Sequence, residues 1–184
     1  MALSLDRDFY DRPTVDVARD LLGASLYRRF ADGRTIEAPL VEVEAYTADD
    51  PACHAYGGIK PRCEVMFGPP GFSYVYFIYG MYHCLNVVTE RQGIPGAVLL
   101  RAAAYPGANG PGRLCRTLEL DLSYNALDMT DATQPIFIGT TSLKCQSERG
   151  EIIGISERIG ISKAKERPWR FYVKDNPFVS RIKR

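Results

Sequence analysis

The sequence predicts an α+β fold: one domain with a curved, mostly antiparallel β-sheet, flanking helices and a protruding β-hairpin. Three observations predict it. Runs rich in β-branched and aromatic residues outnumber the helical stretches. Several of these runs are sequence neighbours joined by short turns, the connection that antiparallel strands allow. The 184 residues, 46% of them hydrophobic, suffice for one core without disulfides or metals, so residues 1–184 are read as a single domain.

Taken in order, the first element is a helix. Asp11 is positioned to cap it, Pro13 sits near its first turn, Val17, Ala18, Leu21 and Leu22 form its apolar stripe, and Gly23 ends it. Strands follow at Ala24–Phe30 and Thr35–Tyr46, joined by a turn at Ala31-Asp32-Gly33-Arg34. Residues 47–71 carry Pro, Gly and charges and read as a long irregular loop, which in a compact domain is often functional. Tyr74–Val88 reads as two strands around a two-residue turn at Tyr79-Gly80, with glycine supplying positive φ. Gly96–Ala103 is an apolar strand containing Arg101. Pro111–Leu120 is a short helix opened by Asn109-Gly110-Pro111-Gly112. Residues 122–150 are turn-rich with a strand near Pro135–Ile138, Ile152–Ile161 is helix or loop, and Trp169–Val173 is a closing strand.

Composition narrows the function classes. Charged residues make up 24%, which fits an ordinary globular chain rather than a disordered one. No apolar stretch approaches the ~20 residues of a membrane span. The start, MALSLDRDFYDRP, lacks the basic segment and apolar run of a signal peptide, so an intracellular, cytoplasmic location is expected. The five cysteines (53, 63, 84, 115, 145) are spread out, with no Cys-x-x-Cys, and read as reduced, buried thiols. Cys53-His54 and His83-Cys84 raise the question of zinc, but structural zinc sites pair ligands at closer, repeated spacing, so no metal is expected. Net charge is +1 but uneven: residues 1–157 carry 14 Lys/Arg against 20 Asp/Glu, and residues 158–184 nine against two. The basic end is either a solvated surface or a phosphate-contacting face.

Four features bear on chemistry. In VEVEAY, residues 41–46, strand alternation turns Glu42, Glu44 and Tyr46 one way and Val41, Val43 and Ala45 the other. That face is either half-exposed in solvent or lines a cleft with a carboxylate beside an aromatic ring, where one positioned Glu serves as a general base. The hairpin tip is flanked by Ile78, Tyr79, Met81 and Tyr82 rather than polar residues. It is either buried core or a wedge of the kind that parts base steps and aids extrusion of a nucleotide. Arg101 is either a snorkelling boundary residue or a cation that orients a carboxylate and water. His54, by itself, reads as an ordinary core or surface histidine.

Six blocks, in order from about residue 17 to the C-terminal end, resemble one family. VEVEAY, the following His54, MFGPPGFSYVYFIYGMYHCLNVV, AVLLRA, GPGRLC and RPWRFYVKDNPFVS together are similar to the alkyladenine (3-methyladenine) DNA glycosylases of the human type. The hairpin block is the most specific of them. The resemblance implies a monofunctional base-excision-repair enzyme that flips an alkylated or deaminated purine (of the 3-methyladenine, 7-methylguanine, hypoxanthine or ethenoadenine type) from duplex DNA. It implies hydrolysis of the N-glycosidic bond to leave an abasic site. Glu44 would be the general base, with Arg101 and the Ile159 carbonyl holding the water. The base would stack between Tyr46 and His54 on one side and Tyr76 on the other. Asn86 would crowd the exocyclic amine of normal guanine. Tyr79 would fill the vacated space in the duplex, with Met81 and Tyr82 beside it and Arg113 as a further DNA contact. No cofactor and no membrane are implied, and a monomer is expected.

The residue chemistry agrees with those roles. Every base offers a π face, so aromatic stacking tolerates many modified bases. Alkylated purines are often cationic, and an aromatic box then adds a cation–π contribution of ~0.5–2 kcal/mol. Such a base is already a good leaving group, so positioning of water is the main requirement. No lysine lies in the Glu44, hairpin or Arg101 blocks, so a Schiff-base lyase step lacks an evident amine. Three departures stand out: His83 replaces an expected Phe, the stretch from Arg101 to Gly110 is short, and the N-terminal extension of the human type is missing, so a compact catalytic domain is expected. Two other readings compete. One is a carbohydrate hydrolase using Glu42 and Glu44, since retaining enzymes hold two carboxyls about 5 Å apart and alternate strand residues sit roughly 7 Å apart. The other is a non-catalytic nucleic-acid-binding module with the same wedge.

Overall fold

Strand β2 (Thr35–Tyr46) is the longest element and organises the sheet. In the computed structural model, which describes residues 3–140 and 152–180, every strand pairing is antiparallel. The first part of β2 pairs with β1 (Ser25–Arg29) and its end with β8 (Arg170–Val173), while β5 (Gly96–Ala103) pairs along residues 40–46 on the opposite edge. Beyond β5 come β4 (Tyr82–Thr89) and β3 (Ser73–Ile78); beyond β1 comes β6 (Ile136–Gly139), and among the described residues β7 (Ile153–Ser156) pairs with β8 alone. The architecture is the expected α+β sheet.

Cross-strand partners share a face, and the two faces differ in chemistry. Val43, Ala45, Leu100, Val98, Val87, Leu85, Val75 and Phe171 lie on one face in the main core. Val17 and Ala18 of α2 (Thr14–Asp20) and Leu114 of α3 (Pro111–Thr117) belong to the same cluster. The opposite face carries Glu44, Tyr46, Leu99, Asn86, Tyr74 and Tyr76; all of these but the fully buried Glu44 line a cavity. Because β2 is flanked by strands on both edges and covered on both faces, Val41 through Ala45 are all buried. The solvent-facing reading of this strand is therefore excluded.

Several local expectations change. Asp11 does not cap α2: its N-cap is Pro13, without a side-chain cap, and the Thr14 amide and hydroxyl donate to Glu90 Oε1 at 2.7 and 2.8 Å. A carboxylate from the β4–β5 turn thus satisfies the helix start. The capping aspartate is Asp6, which accepts from the Phe9 amide at the short α1 (Arg7–Tyr10). The loop 47–71 contains a 3-10 helix, Pro61–Phe67. Residues 153–156 form a strand because β8 supplies a partner ladder, a nonlocal cause invisible in their own pattern. The remainder of the turn-rich stretch beyond residue 140, with Cys145, lies outside the described residues.

The β3–β4 hairpin ends in a turn with both Tyr79 (φ 55°) and Gly80 (φ 68°) in the left-handed region. Met81 N–H donates to the Ile78 carbonyl at 3.3 Å, and the last paired residues are Ile78 and Tyr82. Three residues, not two, separate that pair. Tyr79 is 74% exposed and Met81 65%, so the tip is an apolar projection rather than core.

Candidate active site

A cavity of about 510 Å³ opens on the polar face of the sheet. Its lining includes Tyr46, His54, Tyr76, Asn86, Arg101 and Ile159. Strand alternation explains the convergence, since Tyr46, Asn86 and Tyr76 occupy same-face positions on β2, β4 and β3. The β2–β5 register shifts on both sides of Glu42: Glu42 faces Ala102 and Val43 faces Leu100, which leaves Arg101 at the irregularity. Such bulges re-aim side chains, and here Arg101 reaches both carboxylates.

Glu44 is fully buried and has three partners. Oε1 accepts from the Ile159 amide at 2.8 Å and lies 3.3 Å from Arg101 Nη1; Oε2 accepts from the Tyr46 hydroxyl at 2.8 Å. Burial pushes the Glu44 carboxyl above its ordinary range, and Arg101, the Ile159 amide and Tyr46 offset this only partly. Burial and the neighbouring Glu44 charge also raise the Tyr46 phenol well above its usual value, so it remains a donor. The Ile159 contact is an amide donated to the carboxylate, a role the sequence did not suggest.

Glu42 sits in a different environment. Its Oε1 accepts from Arg101 Nε at 2.8 Å, Arg170 Nε at 2.8 Å and the Ser180 hydroxyl at 2.7 Å; Oε2 accepts from the Ser180 amide at 2.6 Å. Burial alone would raise its pKa, but Arg101, Ser180 and Arg170 outweigh burial and hold it below the usual range. Glu42 is a charge-stabilised anchor for Arg101.

His54 belongs with Tyr76. Their ring centroids are 4.7 Å apart with planes at 79°, an edge-to-face contact that leaves no room for a base between them. The expected grouping of His54 with Tyr46 across from Tyr76 is corrected accordingly. His54 Nδ1 is 2.8 Å from the Tyr74 hydroxyl, and burial, with Arg62 and Lys60 nearby, lowers its pKa to about 4. The ring is therefore neutral at physiological pH. Asn86 is fixed by donation from Nδ2 to the Tyr74 carbonyl at 2.9 Å.

The remaining sequence-predicted residues separate. Tyr79 joins Ile78 on the cavity lining while projecting outward. Met81 is exposed, whereas Tyr82 packs its ring against Gly112: a Cβ there would fall 2.7 Å from Tyr82 Cδ1. Arg113 is exposed on α3, with Nη1 3.2 Å from Asn109 Oδ1. His83 lies across from Phe77, ring centroids 5.0 Å apart, and is not in the cavity lining. No lysine lies in the Glu44, hairpin or Arg101 blocks, but Lys163, from outside them, lines the cavity and is exposed, so an amine does stand beside the site. Among the described residues no group of three or more His, Cys, Asp and Glu side chains could hold a metal ion, and no helix is long and apolar enough to cross a membrane.

Two buried residues went unnoticed in the sequence. Asp50 and Arg158 form an ion pair with fully buried side chains, and the Arg158 guanidinium lies 4.6 Å from the Tyr46 ring centroid. They are 108 positions apart, and neither stands in a periodic or spaced motif that would have marked it.

The family model for methylpurine-DNA glycosylase matches residues 8–107 and 105–177. A protein of Synechococcus sp. (strain JA-3-3Ab) is 44% identical over 193 residues, covering 94% of this chain and 97% of the relative. One from Wolbachia sp. subsp. Brugia malayi is 46% identical over 175 residues (92% and 96%), and one from Sodalis glossinidius 46% over 173 (91% and 95%). All three are named for 3-methyladenine DNA glycosylase.

Proposed function

The chain belongs to the methylpurine-DNA glycosylase family, and from that premise we propose that it extrudes damaged purines from duplex DNA and hydrolyses their N-glycosidic bond, with Glu44 activating the water. The observation that carries this reading is a single raised-pKa carboxylate buried beneath a cavity walled by Tyr46, Tyr76 and His54, beside an exposed apolar hairpin.

The steps follow from the residues. Tyr79 enters the space that the nucleotide leaves, and the flipped base stacks between Tyr46 and the Tyr76–His54 pair. Neutral His54 suits this task, since an imidazolium would repel a cationic alkylpurine. Water gives a proton to Glu44 as its oxygen attacks the sugar carbon; the carbon–nitrogen bond breaks and its electron pair leaves with the base, so an abasic site remains. Arg101, tethered by Glu42, favours the ionised form of Glu44 against burial and helps place the water. Asn86 narrows the pocket against the exocyclic amine of guanine. The substrates are alkylated and deaminated purines, from 3-methyladenine and 7-methylguanine to hypoxanthine and ethenoadenine. The protein acts as a monomer without a metal.

The carbohydrate-hydrolase reading loses support from Glu42, whose two oxygens are already engaged by two arginines and Ser180. Lys163 contacts phosphate at the rim rather than attacking the sugar. A duplex with a single hypoxanthine tests both points. Base release with strand breaks only after alkali, and no borohydride-trapped adduct, is expected. A trapped adduct that disappears in Lys163→Ala overturns the hydrolytic, lyase-free part of the reading.

A further inference from the structure

Glu44 and Tyr46 share β2, whereas the Ile159 amide that holds Glu44 comes from a segment distant in sequence, and one buried ion pair ties that segment to β2 and to the turn before His54. Arg158 Nη1 donates to the Ala45 carbonyl at 3.0 Å and to Asp50; Nη2 donates to Asp50 Oδ1 at 3.1 Å and to the Ala164 carbonyl at 3.2 Å. Asp50 in turn shapes the turn that presents His54: its Oδ1 accepts from the Ala52 amide at 3.0 Å and its carbonyl from the Cys53 amide at 2.9 Å. The residue after Arg158 is Ile159, whose amide holds Glu44. The residue after Ala45 is Tyr46, under whose ring the guanidinium sits.

We propose that Asp50 and Arg158 are positioning residues for base excision, a clamp that sets the Ile159 amide against Glu44, supports the Tyr46 ring and fixes the His54 turn as one unit. The inference rests on the proposed function and deepens it. A planar guanidinium with forked donors suits the task, because it engages a carboxylate and two carbonyls at once, which an ammonium cannot do. Breaking the clamp frees the 158–164 segment, and the Ile159 amide leaves Glu44. The groups facing Glu44 are then Arg101 on β5, Glu42 and Tyr46 on β2, Tyr76 on β3 and Cys84 on β4. With one carboxylate donor lost from that set, Glu44 protonates at higher pH.

The test uses the double variant Asp50→Asn with Arg158→Met, which leaves no unpaired buried charge and retains an acceptor for the Ala52 amide. Single-turnover release of hypoxanthine from duplex DNA is measured across pH, with affinity for a duplex carrying an abasic analogue and fluorescence of Trp169, the chain's single tryptophan, as controls. Trp169 lies 5.4 Å from the Arg158 guanidinium and reports repacking directly. The expected result is a rate lower by about 10- to 100-fold, the scale of an ångström-level misplacement. Its acid limb moves to higher pH, and DNA affinity is retained. An unchanged rate and acid limb overturn the inference alone. If the double variant does not fold, Arg158→Lys decides: it retains the charge opposite Asp50 but not the fork, so a slower rate with a shifted limb supports the clamp and wild-type behaviour overturns it. A wild-type protein that releases no base overturns the proposed function and the inference with it.

Discussion

The Tyr46 hydroxyl donates to Glu44 Oε2 at 2.8 Å, two positions along the same strand. One residue thus supplies both a ring on the cavity wall and a hydrogen bond to the carboxylate. Tyr46→Phe preserves the ring and removes the bond. A hydrogen bond to a charged group is worth about 1.5–3 kcal/mol, so single-turnover excision is expected to fall by roughly 10- to 100-fold with DNA affinity retained. Equal rates for Phe and Tyr would show that the bond plays no part.

Buried charge makes Glu42 a stability residue. Glu42→Gln leaves Arg170 without its carboxylate and Arg101 with Glu44 alone, and removing one partner of a buried ion pair costs about 3–5 kcal/mol. Urea denaturation is expected to show a loss of that size. Activity separates the readings: a carbohydrate hydrolase using Glu42 would be abolished by this substitution, whereas base release is abolished by Glu44→Gln.

His54 links folding stability to pH. Its folded pKa, about 4, lies below the ordinary histidine value of 6.5, so the unfolded chain binds the proton first. The resulting stability is complete above about pH 6.5 and is lost as pH falls toward 4. Urea midpoints for wild type and His54→Gln at several pH values check this: the wild type is expected to lose more stability between pH 7 and 4. Parallel losses would contradict a half-buried, neutral imidazole.

The exposed hairpin tip separates folding from function. Tyr79→Ala removes a side chain that is 74% exposed, so unfolding should shift by no more than about 0.5 kcal/mol. Excision from a fully paired duplex is expected to drop, and excision of the same lesion within an unpaired bubble to drop less, because no base pair needs parting there. Equal losses in the two substrates would remove the wedge.

What the sequence revealed and what it hid have separate physical causes. Strands β1 to β5 and the Tyr79-Gly80 tip were legible because their signals are local: alternation, β-branched and aromatic runs, and glycine at positive φ. The convergence of Glu44, Tyr46, Tyr76, Asn86 and Arg101 into one candidate site was legible because strand periodicity and the family blocks point to the same positions. Hidden were interactions created only by folding. β7 is a strand because β8 lies beside it, Thr14 is capped by Glu90, and Arg158 meets Asp50 across the chain. The sorting of His54 with Tyr76 depends on the turn after β2, and Lys163 reaches the cavity from a segment with no regular pattern.

Glu44 bears the most direct test. Glu44→Gln preserves volume and removes the base, so it should bind duplex DNA with an abasic analogue as the wild type does while releasing hypoxanthine or 3-methyladenine, in single turnover, slower by about 100-fold or more. The wild-type rate should fall on the acid side with a midpoint above the ordinary glutamate range, since burial raises this carboxyl. Release by Glu44→Gln at the wild-type rate would contradict the account.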